Sequence, residues 1–169
     1  MIFKSKRGTF KIVGDINDVL AYNIVKQILE FSEQYPSETV TLHIQSASGG
    51  VTAGMAIYDA IMYIPNEVIT IAKGRIGGIA TLILSSGTPG KRYAYKKAKI
   101  ELGHFWIKQT EQPIPHEVHS AVQKVYKELS KHTNLAAQDV MDMIDSEMIL
   151  NVDAAVQDGF IDHVKRIFD

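Results

Sequence analysis

At 169 residues the chain suits a single domain, residues 1–169, with a sizeable buried core. Apolar content of 46%, charged content of 22% and a formal net charge of −1 leave no overall basic field for nucleic acid or a membrane surface. There is no cysteine, which removes disulfides, thiolate catalysis and cysteine-bound zinc. Met1 to Arg7 lacks the apolar stretch of a signal peptide, and no segment approaches the roughly 20 apolar residues of a membrane span, so a cytoplasmic protein is expected.

In chain order, Thr9 to Val13 reads as a short strand. Asp15 or Asn17 caps a helix to about Gln34, with Leu20, Ile24, Ile28 and Leu29 on one face. Thr39 to Ile44 alternates as a strand, and Ser46-Ala47-Ser48-Gly49-Gly50 turns into a helix from Thr52 to Tyr63, stopped by Pro65. The strand Val68–Ala72 leads through Gly74-Arg75-Ile76-Gly77-Gly78 into an apolar helix ending near Ser85. Arg92–Tyr95 and Ala98–Leu102 follow as strands. The longest helix starts at Pro113 and Pro115 and runs to about His132, with Val118, Val122, Val125 and Leu129 as its apolar stripe. If a lone protomer leaves that stripe partly exposed, it needs a partner helix from another copy. Asn134 is placed as the cap of a helix from Ala136 to Ile144, and Asn151 as the cap of a last helix from Val152 to Gln157, closed by Gly159. Strands alternating with helices predict an α/β fold with a mostly parallel sheet of right-handed βαβ units.

Both glycine-rich turns sit between a strand's C-terminal end and a helix start, the edge where parallel sheets bind ligands. A strand–turn–helix junction raises one residue above the sheet and aims free helix N–H groups at what binds there. At the apex stands Gly78, which has no atom with which to attack. Glycine also lets two backbone N–H groups converge on one oxygen as an oxyanion hole. On spacing alone, the favoured reading is that these glycines only permit tight turns.

The run Ser46-Ala47-Ser48-Gly49-Gly50-Val51-Thr52-Ala53-Gly54-Met55-Ala56-Ile57-Tyr58-Asp59 resembles the Ser-Pro-Gly-Gly-x-x-Thr-Ala-Gly-Met-x-Ile-Tyr-Asp stretch of ClpP, the serine peptidase family of the Clp protease. Gly90-Lys91-Arg92-Tyr93, His132-Thr133 and Ala155-Val156-Gln157-Asp158-Gly159-Phe160-Ile161-Asp162 resemble the same family in the same order. The resemblance implies a ClpP/crotonase-like superfold: stacked βαβ units with a projecting strand–helix handle, here at about residues 103–133. It also implies assembly into rings, of this chain alone or with active ClpP subunits, and a possible AAA+ unfoldase partner. The chain carries little before its first strand, so the family's pore segment is expected to be abbreviated.

Carried over residue by residue, the family's Ser-His-Asp triad falls on Gly78, Gly103 and Glu147. The first two supply neither nucleophile nor base. The oxyanion donors fall on the N–H groups of Gly49 and Ile79, which need only backbone. His104 lies one residue late, on the opposite face of a regular strand, and serves as a base only if a bulge turns it. The resemblance therefore points to a proteolytically silent subunit, close in character to the ClpR-type paralogues. The runner-up is an active serine endopeptidase built from His104, Glu147 and a serine among Ser46, Ser48 and Ser85. A more distant alternative is a crotonase-like enzyme holding an acyl-CoA enolate. Tyr63, Tyr93 and Tyr95 fall at or near the family's apolar docking pocket for the unfoldase. Phe105-Trp106-Ile107-Lys108-Gln109-Thr110-Glu111-Gln112 stands where the family has a Gly-rich handle strand, and Phe105, Trp106 and Ile107 suit a ring–ring or substrate surface as well as, for Trp106, a place in the core. His116-Glu117-Val118-His119 is one residue short of a metalloprotease helix, so no metal is assigned, and no cofactor is expected.

Overall fold

The computed structural model describes residues 7–103 and 116–166. In chain order the elements are β1 (Thr9–Val13), α1 (Asp18–Gln34), β2 (Val40–Gln45), α2 (Val51–Tyr63), β3 (Val68–Ala72), β4 (Arg75–Gly77) and α3 (Ile79–Ser85). They continue with β5 (Arg92–Tyr95), β6 (Lys99–Leu102), α4 (His116–His132), α5 (Ala137–Asp145), β7 (Met148–Leu150), α6 (Val152–Gln157) and β8 (His163–Lys165).

The larger sheet is five-stranded, in the order β1-β2-β3-β5-β8, with every pair parallel. Its period-2 pattern is visible in β2, where Val40, Leu42 and Ile44 are buried while Thr41 and His43 are half-buried. The buried rows carry Ile12, Leu42, Ile44, Ala72 and Ala94 into one core with helix residues such as Ile28, Ile57 and Leu82. The opposite face, with Lys11, His43, Tyr93 and Tyr95, stays open to solvent in part.

A second, three-stranded sheet, β4-β6-β7, was not expected from the sequence. β4 pairs parallel with β6, and β7 pairs antiparallel with it. Its first strand is only three residues long and sits inside what reads as a glycine turn. No periodicity develops over so short a run.

Three local expectations are corrected. Asn134 does not cap α5: Ala136 is the cap residue, its N–H donates to Asp139 Oδ2 at 3.2 Å, and the Asn134 amide instead donates to the Gln157 carbonyl. On α1, Ile24 and Ile28 are buried but Leu29 is 36% exposed, because one residue turns the side chain about 100° off the buried stripe. Third, the α4 stripe needs no second copy. Val122, Val125 and Leu129 are buried within the chain, where α4 packs on α2, α3 and α5. From Val122 onward the long helix is therefore core rather than appendage; Val118 lies outside the described side chains.

A buried hub ties these layers together. Arg92 on β5 donates Nε and Nη2 to the two carboxylate oxygens of Asp162 at 2.9 and 2.6 Å. Its Nη1 reaches the carbonyls of His132, Gly159 and Ser85 at 2.5, 2.7 and 3.3 Å. One side chain thus links the ends of α3, α4 and α6 to the sheet. Burial raises the Asp162 carboxyl pKa, but the Arg92 hydrogen bonds outweigh it and hold the group below the usual aspartate value.

Candidate functional site

The site is built where β4 runs into α3. Gly77 donates its N–H to the Ser46 carbonyl at 2.9 Å, so the turn after β2 lies against the turn after β4. The approach leaves no room for a side chain: a Cβ on Gly77 would stand 2.7 Å from the Ala47 carbonyl oxygen. Gly78 then takes φ 53° and ψ −132°, a conformation that glycine adopts freely and L-residues rarely do. Its carbonyl accepts from Thr81 N–H and opens α3, all of whose residues are buried. The elbow is therefore rigidly mounted, and a Cβ at position 78 would meet nothing within 4 Å. The apex of the turn faces open space.

The opposing turn is equally constrained. Ile16 N–H donates to Ser48 O at 3.1 Å, and Gly50 N–H donates to Ile16 O at 2.8 Å. A Cβ on Gly49 would fall 2.6 Å from Ile16 Cβ, so the close backbone crossing requires glycine there. The N–H groups of Gly49 and Ile79 find no acceptor among the described residues. Beside Gly49 lies a cavity of about 430 Å³ lined by Asp15, Asn17, Ser48 and Gly50 among others.

The small sheet gathers the remaining positions. Gly77 is in register with Glu101 on β6, and Leu102 is in register with Met148 on β7. Gly103 and Glu147 adjoin the last pair of the β6–β7 ladder, Leu102 and Met148, and Gly78 follows the last pair of the β4–β6 ladder. Gly103 also has open space at its Cβ position. Glu147 is exposed and is the one non-glycine residue with positive φ (49°) among the described residues, its N–H donating to Ile144 O at 3.0 Å. Arg75 on β4 and Glu101 on β6 clamp the two strands below the elbow with bidentate bonds of 2.7 Å, and the arginine's hydrogen bonds lower the Glu101 carboxyl pKa. His104, Phe105, Trp106 and Ile107 lie outside the described residues.

The displaced-serine alternatives meet specific obstacles. Ser85, the last residue of α3, is 0% exposed, with its Oγ unpartnered among the described residues. Ser46 is 2% exposed and donates to the Ser48 carbonyl. Ser48 is half-buried and donates to the Asp15 carboxylate. None of these hydroxyls bonds an imidazole among the described residues. Tyr93 and Tyr95 share the open face of the larger sheet, while Tyr63 is 81% exposed at the end of α2. The Arg92–Asp162 hub escaped the sequence reading although both residues lie inside motifs singled out there. Nothing in a linear pattern joins positions 70 residues apart.

An elbow between a strand and a buried helix, with glycine at its apex, lies against a second glycine turn, and backbone N–H groups at both turns lack an acceptor among the described residues. The chain matches the family model for Clp protease over residues 4–167, and it belongs to that family. Its mixed α/β architecture, with helices packed on a parallel sheet, is that of the ClpP fold.

Proposed function

We propose that this chain is a catalytically silent subunit of a ClpP-type proteolytic core, one that builds or caps a ring rather than cutting substrate. The observation that carries the reading is Gly78: an elbow of nucleophile-bearing shape, open above, with no oxygen to attack a carbonyl. Gly103 extends the argument, since glycine at the family's histidine position cannot accept a proton. What remains is backbone. The N–H groups of Gly49 and Ile79 can hold a peptide carbonyl or a developing oxyanion, an interaction worth a few kcal/mol in an active enzyme. Without a nucleophile and base, such a hole leaves at most a modest rate above water.

On this reading the chain binds extended peptide without forming an acyl intermediate, in rings of its own or beside active subunits. An AAA+ unfoldase is the partner the family supplies, with Tyr93, Tyr95 and Tyr63 as the surface to test by mutation. Purified chain incubated with a fluorogenic peptide and casein, with and without the ATPase, is expected to show no turnover. A fluorophosphonate probe is expected to leave every serine unlabelled by mass spectrometry. Turnover that survives repurification and stops with a serine-directed inhibitor would overturn the proposal. Sedimentation at micromolar concentration tests the ring, and a monomer counts against it.

A further inference from the structure

The open face of the larger sheet holds a feature unconnected with the elbow. Parallel strands place residues in straight rows, and two neighbouring rows here are rich in cations. Lys11 is in register with His43, and His43 in turn with Ile71 and Tyr93. The next row brings Val13 beside Gln45 and Tyr95 beside Lys165, with Lys73 just past the end of β3. At the C-terminal ends of these strands is a cavity of about 700 Å³ whose lining includes Lys11, His43, Gln45, Lys73, Tyr95 and Lys97. That edge is where parallel sheets offer ligand sites, and the volume is that of a small-molecule pocket.

No carboxylate lines this cavity among the described residues. Lys91, Lys124 and Lys131 each pair with an acid, whereas Lys11, Lys73, Lys97 and Lys165 have no such partner among the described residues. Lys165 Nζ rests 5.0 Å from the centre of the Tyr93 ring, which keeps its charge on this face. A chain of net charge −1 has thus gathered unneutralised lysines around one concavity. Like charges so placed repel one another and focus a positive potential into the cleft. Burial, and then Lys11, Lys165 and Lys73, lower the His43 pKa, so the imidazole stays neutral as a hydrogen-bonding wall.

We infer that this cavity binds a compact anion with two or more negative charges, of the polyphosphate or polycarboxylate class, through Lys11, Lys73 and Lys97 with Gln45 and His43 as polar partners. The inference is independent of whether the elbow is silent. Titration calorimetry on the full chain, with tripolyphosphate or citrate at constant ionic strength, is expected to saturate at one equivalent per chain and to shift the His43 ring resonance. Saturation by tripolyphosphate alone supports a phosphate chain as ligand, and saturation by both supports any compact polyanion. Lys73→Gln is expected to weaken binding about tenfold, the scale of one charge-assisted hydrogen bond. Lys97→Gln, in an exposed turn where folding is not at stake, is expected to do the same. Lys26→Gln on α1 leaves binding unchanged. No saturation beyond matched sodium chloride, equal affinity in wild type and both cavity variants, or saturation only by a poly-glutamate peptide would each overturn the inference.

Discussion

Arg92 and Gly78 sit on the same scaffold and are held by opposite means. Around Arg92 the order comes from side-chain chemistry: a guanidinium meets a carboxylate and three carbonyls in the interior, at the junction of four elements. Around Gly78 it comes from backbone alone, through the abutting turns and a buried helix, with no functional group at the apex. The difference teaches that the shape of the elbow does not depend on a side chain at its apex, because what shapes it lies below it. Scaffold and chemistry are separable here.

The sharpest way to break the comparison is to remove the hub. Arg92→Ala leaves three carbonyls without the guanidinium donor and the Asp162 carboxylate with only backbone donors, and a loss of about 3–5 kcal/mol is expected by urea denaturation, as for other broken buried pairs. The elbow should lose its shape along with the rest. The reverse test adds chemistry to an intact scaffold. Gly78→Ser meets no steric block but places an L-residue at φ 53°, so a loss of about 1–3 kcal/mol is expected in the same assay. Alone it should remain unlabelled by a fluorophosphonate. Combined with Gly103→His it should acquire an adduct at position 78, with Glu147 orienting the imidazole.

A smaller effect is expected between α2 and α4. Tyr58 Oη donates to Glu128 at 2.8 Å and lies 3.0 Å from His132 Nε2; burial and then the Glu128 bond raise the phenol pKa. Tyr58→Phe should therefore cost about 1–2 kcal/mol by chemical denaturation, mostly from the carboxylate left short of a donor. The mildest effect is that of acid. Burial and then Arg92 lower the His132 pKa below 6.5, and His43 moves the same way. A histidine with a depressed folded pKa binds its proton more readily when unfolded. Its contribution is thus intact above pH 6.5 and declines as pH falls from there through the folded value. Stability measured from pH 7 to 5 should fall gently, and His132→Gln should flatten part of that slope. Asp162, also depressed, adds its loss only below the ordinary aspartate range.

Much of the site was legible in the chain before any coordinates. The resemblance assigns Gly78, Gly103 and Glu147 to one site, and each of the three directly adjoins a strand of the small sheet. The apolar stripe of α4 is legible from its helical period, but that period shows that a face is buried and not by what; Val122, Val125 and Leu129 are covered within the chain. Asn134 was misread because a good capping residue two positions early competes with Asp139 reaching back from inside the helix. The complete burial of Ser85 has no signature in the sequence, because it depends on neighbours far along the chain.

The sequence by itself determined the alternation of elements, the glycine turns and the lack of a nucleophile at position 78, because these depend on residue identity and short-range pattern. Only the tertiary structure decided the second sheet, the Arg92–Asp162 junction and the lysine-lined cavity. Each of those arises when parallel strands and long crossovers bring distant residues into register, and that register has no signature shorter than the fold.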